Sequence, residues 1–255
     1  MEGLFNYVCS PDFLNGAVST LKLTICAQIA GVLCGFLLAI FRMSKFKIFQ
    51  GIASIYIWIF RGIPVLVQLI FVYNALPQFG LKLTSFQSAM VALTLNEAAY
   101  MAEIIRSGLK SVHPGQQRAG YVLGMSKLQI MRHITLPQAL RTVVPPTTNQ
   151  FIAMLKTSSL ASVVGYGDLL LTAQQMASAS FDYIHTLIAA VVYYLFFTSI
   201  FTIAQIKIEH HLDISRRFDQ AKSPSLFSSF LRQCSIVILG GVHTYEGINR
   251  STRCK

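Results

Sequence analysis

Between Tyr183 and Ile206 the chain runs for 24 residues in which His185 is the only side chain able to take a positive charge and no acid occurs. A helix of that length is about 36 Å long, enough to cross a hydrocarbon layer of about 30 Å. A second stretch, Leu23 to Phe41, has 19 residues and no charge. Begun near Ala17, with the Lys22 stem snorkelling to the surface, it also reaches spanning length. With 53% apolar and only 12% charged residues in 255, the chain cannot cover a soluble globule with polar surface. The same composition excludes disorder over most of the length. The expected fold is an all-α polytopic membrane protein.

The remaining spans are less plainly marked. Residues 49–60 form an approach helix, and Gly62 and Pro64 break it because proline lacks a backbone donor. A membrane helix follows from about Val65 to Leu76, and residues 77–80 turn. The run from Leu83 extends through Glu97-Ala-Ala-Tyr-Met-Ala and places Glu97, and with it Glu103, near the far end of a third helix. A fourth span is expected within 145–165, starting under Pro145-Pro146. Gly31 and Gly35, four apart, either form a close-packing face or simply occur, as glycine often does in membrane helices.

Charge placement orients these five helices. The 42–47 loop, the 103–141 segment and the tail from Lys207 hold 3, 6 and 8 basic residues, while Lys22, Arg61, Lys82 and Lys156 make up the rest of the 21. Basic loops face the cytoplasm, so the N-terminus is expected outside and the C-terminus in the cytoplasm. The net charge of +11 is then a topology signal, with anionic membrane lipid as a secondary contact and no nucleic-acid partner. No metal spacing appears among His113, His133, His185, His210 and His211, nor among the five cysteines; Cys26 and Cys34 are expected to be buried thiols.

The 107–137 loop carries the most information. Pro114-Gly115 starts one short helix, Gly124 ends it, Ser126 caps a second that runs to Ile134, and Pro137 closes that one. Two amphipathic helices joined at a glycine make a knob suited to a groove on another protein, or an ordinary solvated loop. The spacing resembles the cytoplasmic loop signature of importer-type ABC permeases, Glu-Ala-Ala, three residues, Gly, nine residues, Ile-x-Leu-Pro. Ala119, Gly124, Ile134, Leu136 and Pro137 match it, while Arg118 replaces the Glu and Gly120 the last Ala. Further elements are similar to polar amino acid permeases of the histidine, arginine and glutamine uptake kind. They are Phe60-Arg61-Gly62-Ile63-Pro64, Asn96 through Arg106, Leu136-Pro137-Gln138-Ala139, and Lys156-Thr157-Ser158-Ser159-Leu160, where the usual Asp after the Lys is absent. The resemblance covers roughly residues 12–213.

That resemblance implies a type I ABC importer permease with five transmembrane helices, multi-pass in a bacterial inner membrane. It implies a permease homodimer or heterodimer, two cytoplasmic ATPase subunits gripping the loop, an external or periplasmic solute-binding protein, and a polar amino acid as substrate. ATP and Mg would be bound by the partner ATPases. This chain has no Gly-x4-Gly-Lys-Ser/Thr loop, so it is expected to be non-catalytic and to hold no cofactor. A secondary transporter working without an ATPase, and a membrane scaffold, are the alternatives.

Roles are assigned on this basis. Arg118, Ala119, Gly120, Leu123, Gly124, Met125, Leu128, Ile134, Leu136 and Pro137 are the candidates for ATPase coupling, although the apolar ones could instead pack on the permease core. Arg61, Asn96, Glu97, Tyr100 and Lys156 are the candidates for the substrate path or gate. A carboxylate at Glu97 within a span must be hydrated or paired, and Arg61 or Arg106 are its expected partners. Asn96 and Tyr100 share a helix face and offer neutral hydrogen-bonding groups to a zwitterion, or tie helices together. The permease domain is read as 1–215, with 216–255 as an atypical extension.

Overall fold

A computed structural model describes residues 2–212. The extension 216–255, with Cys234 and Cys254, lies outside the described residues. Every element among those described is helical. In chain order they are α1 (Glu2–Val8), α2 (Pro11–Arg42), α3 (Lys47–Gly62), α4 (Val65–Ile70), α5 (Ser85–Ser111), α6 (Pro114–Val122), α7 (Lys127–Ile130), α8 (Leu136–Thr157), α9 (Leu169–Ser180) and α10 (Tyr183–Leu212). α2 and α10 are long and apolar enough to cross a membrane, and α3 with the α4 segment forms a third such unit, bent by 102° at its break.

α2 begins at Ser10, whose hydroxyl accepts from the Phe13 N–H at 3.3 Å, with Pro11 in the first turn. Its packed face is a stripe of small and hydroxyl residues: Gly16, Thr20, Thr24, Ala27, Gly31 and Gly35. Its opposite face exposes Val18, Ile25, Ile29, Leu33 and Leu37. An apolar outside over a small, weakly polar inside is the pattern of a helix whose solvent is lipid, where close backbone approach drives association. Gly31 and Gly35 are therefore packing residues. A Cβ on Gly31 would lie 2.5 Å from Cγ of Glu97, and one on Gly35 would lie 2.6 Å from Cβ of Met101. Cys34, on the other hand, is exposed and Cys26 half-buried, because both fall off this stripe.

α5 is the central helix and packs against α2, α3, α4 and α8. Thr84 opens it with a capping box: its hydroxyl accepts from Gln87 N–H, and the Gln87 side chain accepts from Thr84 N–H at 3.0 Å. The helix carries on through Glu103, Arg106 and Lys110 to Ser111, and ends only where Pro114 forbids it. Glu97 therefore sits at mid-helix rather than near the far end. Charged residues do not stop a helix when they pair along it, as Glu103 and Arg106 do at 2.5 Å.

The break after α3 is where the sequence predicts it. Beyond it α4 passes into a π-turn (71–75) and a 3-10 turn (76–79), ended by Gly80 at φ +85°. Pro137 and the double proline behave differently from expectation. α7 does not stop at Pro137 but runs through a π-turn, Met131–Thr135, into α8, with Pro137 in the first turn of α8, where a missing N–H costs least. Pro145 and Pro146 lie inside α8 rather than at its start. The Thr147 and Thr148 hydroxyls add bonds to the carbonyls of Val143 and Pro145, at 2.8 and 2.9 Å, across this stretch. α1 and α9, neither expected from sequence, pack on α2.

Candidate transport cleft and coupling knob

The helix break itself shapes the site. Residues 62–65 leave the Phe60 and Ile63 carbonyls without helical donors. Gln68 Nε2 donates to both, at 3.0 and 2.8 Å, and Asn96 Nδ2 donates to Phe60 O at 2.8 Å from α5. The unwound backbone is thus stitched to α5 and stands open toward a cleft of about 500 Å³. Arg61, Pro64, Asn96, Tyr100, Gln150 and Thr157 line it. Gln150, Ala153 and Thr157 project from one face of α8, at i, i+3 and i+7.

Glu97 stands behind this cleft, fully buried. Its carboxylate oxygens accept from Gln28 Nε2 of α2 and from Gln150 Nε2 of α8, each at 3.0 Å. The expected arginine partners are elsewhere. Arg106 bonds Glu103, and the Arg61 guanidinium lies 5.3 Å from the ring centroid of Tyr100. Two amides rather than a cation satisfy Glu97, so one carboxylate ties three helices together.

This arrangement fixes amide polarity. Gln150 turns its NH2 toward Glu97, which leaves its carbonyl oxygen for the cleft it lines. Asn96 likewise spends its NH2 on Phe60 O. The cleft therefore offers a guanidinium, an aromatic face, amide oxygens and the Thr157 hydroxyl, with no carboxylate in its lining. Of the sequence candidates, Arg61, Asn96 and Tyr100 meet here, Glu97 adjoins through Gln150, and Lys156 is exposed and outside the lining. Gln150 was not singled out from sequence. Thr157 was visible only as the residue standing at the missing Asp.

At the other end, α6 and α7 form a knob. His113 caps α6, and Ser126 and Gln129 form a capping box for α7. Gly124 adopts φ +76° with nothing within 4 Å of its Cβ position, so the left-handed backbone and not crowding calls for glycine. Gly120 is buried, and a Cβ there would meet Ile130 at 2.9 Å and Ile134 at 3.0 Å; this close crossing explains the departure from alanine. Ile134 and Met125 are half-buried, while Arg118, Ala119, Leu136 and Pro137 are exposed. Leu123 and Leu128 are 80% and 76% exposed, beside Val122 and Tyr121, so this apolar rim does not pack on the chain's own core.

Residues 31–211 match the family model described as binding-protein-dependent transport system inner membrane component. The chain is 39% identical over 223 residues to an arginine transport system permease protein of Corynebacterium glutamicum, covering 82% of this chain and 70% of that one. It is 38% identical over 187 residues to an arginine transport system permease protein of Bacillus subtilis, covering 72% and 85%. Among solved structures it is similar to a chain of an amino acid ABC transporter crystallised with histidines, with a TM-score of 0.75, 40% identity, and coverage of 79% and 94%. A chain of a methionine ABC transporter at 22% identity shares the fold, with a TM-score of 0.66. A chain helical throughout its described elements, with an exposed knob at the signature spacing and these relatives, belongs to the inner membrane components of binding-protein-dependent transport systems, the bacterial permease subunits of ABC importers, and groups there with the amino acid permeases.

Proposed function

We propose that this chain forms the translocation path for a neutral polar amino acid. The observation carrying the substrate class is the lining of the cleft, which holds one guanidinium and no carboxylate. Arg61 would face the substrate carboxylate, and the amide oxygens of Asn96 and Gln150 would accept from its ammonium group. A side chain ending in an amide or hydroxyl finds partners in Thr157 and the broken backbone at 62–64. A lysine or arginine side chain would bring a second positive charge beside Arg61 with no anion exposed to it, since Glu97 is buried and occupied. Neutral donors that bind without full charge pairing also let the substrate leave.

In this reading five helical units cross the membrane: α2, α3 with α4, α5, α8 and α10. The N-terminus is outside, which is supported by the basic residues of 42–47 and 103–141 falling on the same side, two crossings apart. α9, at 12 residues, is too short to cross. Two copies, or this chain and a related one, would enclose the path. Two ATPase subunits would take the Leu123–Leu128 rim into surface grooves, hydrolyse ATP with Mg, and move the knob as a rigid lever on α8. An external binding protein would deliver the amino acid. The break at 62–64, held by Gln68 and Asn96, is the hinge the lever would act on. Competition of labelled glutamine uptake by a panel of unlabelled amino acids tests the substrate class. Neutral amide and hydroxyl amino acids should compete best, and strongest competition by arginine or lysine overturns the assignment.

A further inference from the structure

We propose that the cleft between α2, α3 and α5, on the far side of Arg61 from the substrate cleft, binds the phosphate-bearing headgroup of an anionic membrane lipid. It has a volume of about 490 Å³ and is lined by Arg42, Ser54, Trp58, Arg61, Tyr100 and Glu103. Its charges do not balance. Glu103 is engaged by Arg106 from behind, through Nε at 3.1 Å and Nη2 at 2.5 Å, and stands 3.9 Å from Arg42 Nε. Arg61 has no carboxylate within 4 Å among the described residues and rests on Tyr100. Two guanidiniums and one carboxylate face the cleft, and that carboxylate is already neutralised by a third guanidinium. A surplus of about two positive charges therefore remains. Arg42 donates to the Ser54 hydroxyl of α3.

The surroundings select the kind of anion. Beside Arg42 α2 exposes Phe41, and on α3 the lining Trp58 is 76% accessible, with Ile55 exposed one turn before it. Tryptophan beside arginine is the pairing of a membrane–water boundary, where the ring sits at headgroup level. A soluble phosphate would satisfy the guanidiniums but leave these apolar flanks uncovered. A phospholipid covers both, with its phosphate on Arg42 and its chains along α2 and α3, while Arg61 on the shared wall stays available to the substrate carboxylate. Because Arg61, Gly62 and Tyr100 line both clefts, the headgroup would sit against the wall of the substrate path. The inference rests on the proposed placing of the 42–47 loop at the inner membrane surface.

The test is native mass spectrometry of the purified complete transporter, titrated with phosphatidylglycerol, with phosphatidylcholine of the same chains, and with inorganic phosphate. Wild type should prefer phosphatidylglycerol. Arg42→Gln should weaken that preference about fivefold, the effect of one basic charge at a membrane surface, while Arg42→Lys keeps most of it and Lys45→Gln, outside the cleft, leaves it unchanged. Glu103→Gln, which removes the cleft's one carboxylate, should strengthen it. No preference in wild type, an unchanged preference in Arg42→Gln, or a weaker one in Glu103→Gln overturns the proposal. Displacement of the lipid by equimolar inorganic phosphate would also overturn it and make this a soluble-anion site. The readout needs no transport: lipid preference without amino acid uptake would reject only the proposed function, and uptake without lipid preference only this site.

Discussion

Glu97 on α5 and Gln150 on α8 are joined by a 3.0 Å hydrogen bond in which the amide donates and the carboxylate accepts. Through it a buried residue that never reaches the cleft decides which end of Gln150 the cleft sees. Glu97→Ala removes the acceptor for both Gln28 and Gln150 and leaves two amides without partners, at a cost of about 2–4 kcal/mol. Glu97→Gln should cost much less. The Gln28 oxygen has no partner, so that side chain can rotate to accept from the new amide. Thermal unfolding of the purified protein should rank wild type, then Glu97→Gln, then Glu97→Ala, with a clear gap before the last.

Gly31 is the room that Glu97 occupies. Gly31→Val should place methyl groups inside the van der Waals radius of the Glu97 Cβ and Cγ, which lie 2.7 and 2.5 Å from a Cβ there. Separating α2 from α5 to relieve this costs about 1–3 kcal/mol by overpacking. Gly51→Val, inside α3 where nothing lies within 4 Å, is the matched control and should not lower the melting temperature.

The knob separates two roles that glycine and leucine play. Gly124→Val should strain a left-handed backbone and tilt α7 against α6, whereas Gly124→Asn, which tolerates that conformation, should be milder. Leu128→Asp should leave the folded chain as stable as wild type because Leu128 is already exposed, but should abolish co-purification of the ATPase. Retention of the ATPase by Leu128→Asp would reject the rim as its contact.

At the start of α10, outside the membrane-spanning stretch, Asp182 accepts from the His185 ring at 2.9 Å and from the His185 N–H at 3.2 Å. These bonds, the ring's foremost, hold the half-buried carboxyl below the ordinary carboxylate range. A depressed carboxyl stabilises the fold at neutral pH and loses that contribution as pH falls through its lowered value. Protection of the 183–186 amides, corrected for the intrinsic exchange rate, should therefore fall once the pH drops below the ordinary carboxylate range, and in Asp182→Ala it should be low at every pH.

How far the sequence reaches depends on whether one residue suffices to carry the information. Pro64 lacks a donor wherever it stands, and the break follows it. Ser126 and Gln129 cap locally, and Gly124 turns locally, so the knob is readable from its own residues. Pro145 and Pro146 mislead for the opposite reason: hydroxyls one turn on and packing within the helix bundle let α8 pass through them. Gln150 is one amide in an apolar run and acquires meaning only when Glu97, 53 residues away, faces it. Separation in sequence also hides the partners of Glu97, Gln28 being 69 residues away, since an acid in a span calls for a donor but does not say which. The small-residue spacing of Gly31 and Gly35 was visible, yet only the side chains of α5 beneath them make it a packing face.

The most direct measurement is uptake of a labelled neutral polar amino acid into proteoliposomes holding this permease, its ATPase and its binding protein. Uptake should require ATP inside, the binding protein outside, and both ATPase subunits, and should fall to background in Leu128→Asp. Equal uptake by the permease alone, without ATPase or ATP, would contradict the account and make the chain a secondary transporter.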